Sequence, residues 1–236
     1  MGMPVTATVR DPGFDPRELD AAFRELRSVD ARFSTYRADS EISRIGRGEA
    51  VPGPLAREVL DACEAFRRQT GGAFDARAGG GLDPSGYVKG WALRRAAALV
   101  DAEELCLDGG GDLVLRGGPW RVGIRHPLER DRLCSVLELT DRAVATSATY
   151  ERGEHILDPR TRRPPRGVLS VTVTGPDLAT ADAYATAAFA MGASGPAWTA
   201  GLDGYEAMTV LEGGRVLSTP GFAGRPPRVA ARVQAA

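Results

Sequence analysis

Residues 79–94 read Gly-Gly-Gly-Leu-Asp-Pro-Ser-Gly-Tyr-Val-Lys-Gly-Trp-Ala-Leu-Arg, and residues 108–112 read Asp-Gly-Gly-Gly-Asp. A turn at residues 83–85 precedes a segment whose apolar residues recur at helical spacing: Leu93, Ala96, Ala97, Leu99 and Val100. This pattern predicts a helix that carries Lys89 in its first turn. Lys89 is the only lysine among the 30 cationic residues of the chain, and all the others are arginine.

A single lysine in an arginine-rich chain indicates a position where a compact ammonium fits and a planar guanidinium does not. Phosphate oxygens beside a metal ion provide such a position, and a helix N-terminus also favours anions. Gly86 and Gly90 flank Lys89 and allow a ligand or backbone to come close. The alternative is a solvated lysine on an amphipathic helix, and the spacing alone does not decide between the two.

The composition limits the classes of function. The chain has 236 residues, a net charge of −1 and a pI of about 6.2, so it lacks the basic footprint of a nucleic-acid-binding protein. Cys63, Cys106 and Cys134 lack zinc-ligand spacing and are expected to be buried thiols in a reducing compartment. No apolar run or leader-like N-terminus is visible, so we expect no membrane span and a cytoplasmic location.

Periodicity predicts helices that alternate with runs of antiparallel strands, which favours an α+β fold over a doubly wound sheet. Residues 1–222 are expected to form one domain, and residues 223–236 a loose C-terminal tail. Helices are predicted after Asp15, over 55–69, after Ser85 and from a Thr180 cap to about Met191. Strands are predicted at residues 5–9, 105–107, 113–115, 120–124, 135–139, 143–147, 169–174, 207–211 and 215–218.

Four further residues are candidates for a functional site, each with a structural alternative. Tyr36 lies in a polar segment without glycine, as either a ring that contacts a flat ligand or a half-buried anchor. His155, beside Asp158, either binds phosphate and carries a proton or has a structural role. Asp182 and Thr186 share one helix face and offer hard oxygen donors suited to Mg²⁺, although both are also ordinary helix residues.

Taken together and in order, these residues resemble the ApbE family, the FAD:protein FMN transferases. The resemblance covers nearly the whole chain and depends on an ordered set of segments: residues 33–37 (Phe-Ser-Thr-Tyr-Arg), 39–43 (Asp-Ser-Glu-Ile-Ser), 71–75 (Gly-Gly-Ala-Phe-Asp), 83–90, 110–112 (Gly-Gly-Asp), 143–147 (Ala-Val-Ala-Thr-Ser), 150–151 (Tyr-Glu), 155–160 (His-Ile-Leu-Asp-Pro-Arg) and 181–186 (Ala-Asp-Ala-Tyr-Ala-Thr).

The resemblance implies a two-lobed α+β enzyme that uses Mg²⁺ to split the FAD pyrophosphate, joins FMN to a Thr or Ser of an acceptor flavoprotein and releases AMP. It implies that Asp182 and Thr186 bind the metal with their side chains, and Gly86 and Ala185 with their carbonyls. The FAD site would include Met1, Tyr36, Ala73, Phe74, Asp75, Asp83, Lys89, His155 and Ile156. Lys89, Asp182 and His155 would be the catalytic groups, with His155 as the first candidate for the base and an acidic residue near the metal as the second.

The chain departs from the family pattern at Ala148-Thr149, where relatives often carry Gly-Asp, and it shows none of the export signals common in the family. It also lacks a clear acceptor motif of its own, so the acceptor is expected to be a separate protein. The same residues would serve an FAD pyrophosphatase that yields FMN and AMP. A rival from another class is an FAD-binding protein without turnover, and a non-flavin structural module is third. The functions that involve FAD require the helix with Asp182 and the turn with Lys89 to meet at one site.

Overall fold

The structure, a computed structural model, describes residues 2–129, 131–149 and 156–225. Its helices are α1 (Leu19–Phe33), α2 (Glu41–Gly46), α3 (Pro54–Gln69), α4 (Ser85–Ala97), α5 (Leu178–Ala190) and α6 (Gly195–Thr199). Its strands are β1 (Val5–Val9), β2 (Leu105–Gly109), β3 (Asp112–Arg116), β4 (Trp120–Arg125), β5 (Leu133–Leu139), β6 (Ala143–Ala148), β7 (Val168–Gly175), β8 (Glu206–Leu211) and β9 (Val216–Ser218).

The strands form one large antiparallel sheet and one small ribbon. The sheet has seven strands in the order β1-β2-β3-β6-β7-β8-β9, and β4 pairs with β5 in a separate two-stranded sheet. Neighbouring strands in sequence are mostly neighbours in space, as expected for antiparallel connections. The mixed architecture of helices and antiparallel sheets confirms the predicted α+β class.

Side chains on the two faces of the large sheet belong to two cores. Leu105 and Leu107 of β2 face a core that includes buried residues of α1, α3, α4 and α5. Leu113, Leu115 and Val144 belong to a smaller core shared with the β4–β5 ribbon. The sheet therefore separates a helical layer on one side from the ribbon on the other, as alternation along strands allows.

Close contact between α4 and α5 depends on Gly90. A Cβ atom at this position would lie 2.6 Å from the carbonyl oxygen of Leu178 and 2.9 Å from the Cβ of Asp182. Both helices are buried along most of their length, and α5 is rich in alanine, so their backbones approach without large side chains between them. Glycine at position 90 thus fixes the distance between the helix with Lys89 and the helix with Asp182.

Substitution of Gly90 by alanine is expected to destabilise the protein by about 1 to 3 kcal/mol, because backbone atoms of α5 cannot move aside as a flexible side chain can. Gly81→Ala is the matched control, since nothing lies within 4 Å of its added Cβ. Urea unfolding of both variants measures the effect. Equal stabilities for the two variants would contradict the close packing of α4 on α5.

Several predicted details are wrong at the level of caps and boundaries. No helix was predicted in the polar segment that contains Tyr36, but this segment ends in helix α2, whose cap Ser40 accepts the N–H of Ser43. Helix α5 begins after Asp177, which accepts the N–H of Thr180, so Thr180 is not the cap. Helix α4 ends at Ala97, and Leu99 beyond it is 50% exposed.

Two further expectations need correction, and one stays open. Lys89 is the fifth residue of α4 and therefore lies just beyond the first turn. Only Cys63 is buried, whereas Cys106 and Cys134 are partly exposed. Arg225 pairs with Val136 of β5 through two backbone hydrogen bonds. Residues 226–236 lie outside the described part, so the domain boundary at residue 222 remains a prediction.

Candidate active site

Residues from distant parts of the sequence line one pocket of about 170 Å³. Most of the residues predicted for a ligand site are among them: Tyr36, Ala73, Phe74, Asp75, Asp83, Gly86, Lys89, Ile156, Asp182 and Thr186. Helices α4 and α5 supply one side of this pocket. The segments before α2 and before α4, Ser147 of β6 and residues 156–159 supply the rest. Helix α5 with Asp182 and helix α4 with Lys89 therefore meet at one site.

Three predicted positions are not among the lining residues. Ala185 is completely buried inside α5, next to the lining residue Thr186. Met1 and His155 lie outside the described residues. The metal role of Ala185, the FAD contact of Met1 and the roles of His155 as base and phosphate contact therefore remain predictions.

The predicted metal donors lie against each other across the α4–α5 contact. A Cβ atom on Gly86 would come within 3.0 Å of the Thr186 hydroxyl oxygen, so the start of α4 faces Thr186 directly. The Gly90 N–H, whose helical acceptor is the Gly86 carbonyl, donates to Oδ2 of Asp182 at 2.9 Å. This hydrogen bond ties the carboxylate to α4, and the Gly86 carbonyl oxygen, like any carbonyl oxygen, has two lone pairs and can accept more than one partner.

This set of donors fits a hard cation better than zinc. Within the described ranges, no cluster of three or more His, Cys, Asp or Glu side chains is arranged to hold a metal ion. One nearly buried carboxylate, one hydroxyl and a nearby carbonyl are oxygen donors of the kind that Mg²⁺ accepts together with substrate phosphates. The residues present therefore fit the predicted Mg²⁺ site.

Lys89 forms an ion pair with Asp112, a residue to which the sequence analysis assigned no role. Its Nζ lies 2.8 Å from Oδ2 of Asp112, and the side chains are 15% and 0% exposed. Oδ1 of Asp112 accepts the backbone N–H of Thr146 at 3.1 Å. Burial raises the pKa of Asp112, and the ammonium of Lys89 acts in the opposite direction. Lys89 is thus held inside the protein and is not a solvated surface lysine.

Asp112 lies at the end of β3 where the backbone pairing between β3 and β6 stops. Strands β3 and β6 are paired only at Leu113 with Val144 and at Val114 with Ala143. Beyond these pairs the Asp112 carboxylate bridges to Thr146 of β6 in place of a regular ladder. The Gly110-Gly111-Asp112 motif was the signal for this residue in the sequence, but nothing local indicated that its partner would be Lys89.

The aromatic residues of the site differ in exposure. The side chain of Tyr36 is 83% exposed at the rim of the pocket, which excludes the half-buried anchor. Phe74 is 2% exposed and packs against Phe66, with ring centroids 6.0 Å apart. Tyr36 therefore offers a free ring face to a flat ligand, whereas Phe74 stiffens the pocket wall.

The carboxylates of Asp75 and Asp83 cap turns in the pocket wall. Asp75 accepts the N–H of Arg77 at 2.8 Å, and Asp83 accepts the N–H of Ser85 at 2.9 Å, at the start of α4. A further lining residue of the pocket is Ser147 of β6, to which the sequence analysis assigned no role. Strand alternation explains its position, because its neighbour Thr146 points to the opposite face of the sheet.

Comparison with known proteins identifies relatives over most of the chain. The ApbE family model matches residues 1–81 and 76–209. A protein named FAD:protein FMN transferase from Rhodobacter capsulatus is 36% identical over an alignment of 155 positions, which covers 59% of this chain and 30% of the relative. A Vibrio cholerae protein of the same name is 33% identical over an alignment of 129 positions, which covers 47% of this chain and 39% of the relative. The matched regions thus span well under half the length of these relatives.

Solved structures agree over almost the full chain. The ApbE protein of Thermotoga maritima has a TM-score of 0.83 and 27% identity, with 94% of this chain and 95% of that chain covered. The flavin transferase ApbE of Vibrio cholerae has a TM-score of 0.82 over the same coverage at 24% identity, which shows a shared fold. With the family model matching well over half of its residues, the chain belongs to the ApbE family.

Proposed function

We propose that the protein is an FAD:protein FMN transferase that depends on Mg²⁺. One observation carries this proposal: three of the four predicted metal donors, the predicted cationic group and the exposed aromatic ring, from segments far apart in sequence, line one pocket. The family membership and the names of the curated relatives agree with it. In the described ranges, no helix is long and apolar enough to cross a membrane.

The reaction joins the FMN half of FAD to a Thr or Ser side chain of a separate acceptor flavoprotein. The acceptor hydroxyl oxygen forms a bond to the phosphorus of the FMN half, and the bond from that phosphorus to the bridging oxygen breaks. AMP leaves with the bridging oxygen, and the hydroxyl proton is released to a base. His155 is our first candidate for this base.

The residues of the pocket supply positioning and charge, which are what phosphoryl-type transfer mainly asks of a protein. Asp182 and Thr186, with the carbonyls of Gly86 and Ala185, would hold Mg²⁺, which supplies charge neutralisation at the diphosphate. Lys89 places an ammonium at the same pocket, and the Asp112 carboxylate fixes its position. We infer that the ammonium contacts the diphosphate oxygens.

Incubation with FAD and Mg²⁺, with and without a candidate flavoprotein domain, tests the proposal. The expected result is covalent FMN on the acceptor, detected by mass spectrometry, and an equal amount of AMP. Free FMN and AMP without covalent product would favour the pyrophosphatase instead. Retained FAD without AMP release would favour a protein that only carries FAD. Failure to bind FAD at all would exclude the transferase, the pyrophosphatase and the carrier.

Tyr36 is expected to stack on a flat ring of FAD. Tyr36→Ala should raise the KM for FAD by about tenfold, since stacking on an aromatic side chain contributes about 1 to 3 kcal/mol. Tyr36→Phe, which keeps the ring, should behave like the wild type. Steady-state kinetics with varied FAD separates the two variants, and an unchanged KM in Tyr36→Ala would remove Tyr36 from the binding site.

A further inference from the structure

A second and larger cavity, of about 770 Å³, lies on the ribbon side of the large sheet. Its floor consists of alternate residues on three adjacent strands: Cys106, Asp108, Leu113, Leu115, Val144 and Thr146. Because alternate residues share one face of a sheet, this floor is a single sheet face. We call the cavity the ribbon groove.

One wall of the ribbon groove is the edge of β4 that faces away from β5. All six consecutive residues Trp120–Arg125 line it, whereas β5, which is described in full, contributes no lining residue. Consecutive strand residues point to opposite faces, so a groove that touches all of them runs along the strand edge. In the described part of the chain, β4 forms strand pairs only with β5, so its other edge presents backbone N–H and C=O groups of residues 120–124 to the groove.

The ribbon groove and the candidate active site meet at Lys89, which lines both. The opening between β3 and β6 accounts for this, because the side chain reaches Asp112 at the point where the ladder ends. On β6, Thr146 lines the groove and the next residue, Ser147, lines the active-site pocket. A chain in the groove would thus end beside the group proposed to hold the diphosphate.

We propose that the ribbon groove binds the acceptor polypeptide as an extended strand along β4 and delivers its hydroxyl at the Lys89 end. This inference rests on the proposed transferase function and assigns the site of its second substrate. An unpaired strand edge above a sheet face suits an extended peptide, whose main chain adds to the edge. At about 3.3 Å per residue, the six residues of β4 match a segment of about six residues.

Thr6 and Thr8 of β1 provide a matched pair for the test. Both side chains are exposed and lie on the same face of the strand, but only Thr6 lines the ribbon groove. Thr6→Trp fills the groove, and Thr8→Trp places the same bulk outside it. The probe is a pool of short synthetic peptides with a central threonine and randomised flanks, supplied with FAD and Mg²⁺.

Mass spectrometry should find FMN on peptides treated with the wild type or with Thr8→Trp. With Thr6→Trp, the yield of modified peptide should fall by about tenfold or more, because the tryptophan blocks the peptide from the groove. The KM for FAD should stay unchanged, because FAD binds in the other pocket. Normal peptide modification by Thr6→Trp would overturn the proposal. A raised KM for FAD in that variant would also overturn it, by assigning the groove to part of FAD.

Two controls separate failure of this inference from failure of the proposed function. If the wild type modifies a folded flavoprotein domain but no peptide, the function stands and the extended-strand groove is wrong. If it modifies neither, the transferase function itself fails. Peptides methylated on their backbone nitrogens should be poorer acceptors than their unmethylated forms, since they cannot donate to the β4 edge.

Discussion

Replacement of Asp182 by asparagine is expected to reduce FMN transfer by at least about 10²-fold, in line with the loss of one group that stabilises transition-state charge. The amide oxygen of asparagine can still accept the Gly90 N–H, which the carboxylate accepts at 2.9 Å, so the α4–α5 contact should remain. The change removes the charge of the only acidic side chain assigned to the metal. Steady-state rates at increasing Mg²⁺ should show a weakened dependence on the metal and a lower maximum.

Substitutions at Thr186 supply the matched control for the metal site. Thr186→Ser keeps the hydroxyl donor and should retain most of the activity, whereas Thr186→Val keeps the shape and should lose it. Melting temperatures of all three variants within a few degrees of the wild type would show that the fold is intact. An Asp182→Asn enzyme with wild-type rates would remove Asp182 from the metal site.

Replacement of Lys89 by methionine is expected to abolish transfer and to destabilise the fold. The substitution leaves the completely buried Asp112 without the ammonium that lies 2.8 Å away in the wild type. Loss of one partner from a buried ion pair typically costs about 3 to 5 kcal/mol, because the remaining charge is uncompensated. Urea unfolding and FMN transfer assays measure the two effects separately.

The double variant Lys89→Met/Asp112→Asn distinguishes the structural from the catalytic role of Lys89. Asparagine removes the buried charge and can still accept the Thr146 N–H, so much of the stability should return. Activity should not return, because the ammonium proposed to contact the diphosphate is still missing. Recovery of transfer in the double variant would show that Lys89 acts only through the fold.

The destabilisation in Lys89→Met should also depend on pH with a defined sign. Burial already raises the pKa of Asp112 in the wild type, and loss of the ammonium raises it further. A carboxyl whose pKa is raised on folding disfavours the folded state increasingly as pH rises above its unfolded pKa of about 3.9. The stability gap between the single and the double variant should therefore widen from pH 4 towards neutral pH, as urea unfolding across this range would detect.

Local signals in the sequence were sufficient for much of the fold. Alternation along residues 169–174 and helical spacing over 55–69 each depend on a repeated pattern, so single exceptions matter little, and the structure has a strand at Val168–Gly175 and a helix at Pro54–Gln69. Helix α2 was missed because it is only six residues long and lies in a polar segment. The Thr180 cap was wrong because Asp177, which accepts both its N–H and its hydroxyl, is an equally good capping residue.

In the candidate site, too, some residues were indicated by sequence patterns and others were not. Lys89 was singled out because it is the one lysine of the chain, and Asp182 and Thr186 because their spacing places them on one helix face. The Lys89–Asp112 pair joins residues on α4 and β3, and no periodicity encodes such a contact. The ribbon groove was also beyond sequence patterns, since it arises from the way β4 lies over the face of a separate sheet.

The most direct test of the central claim is a crystal structure of the protein with FAD and Mn²⁺ as an anomalous scatterer in place of Mg²⁺. Our account predicts an anomalous peak bound by Asp182 and Thr186, with the FAD diphosphate between that peak and the ammonium of Lys89. A metal peak or a diphosphate outside the pocket that these three residues share would contradict it.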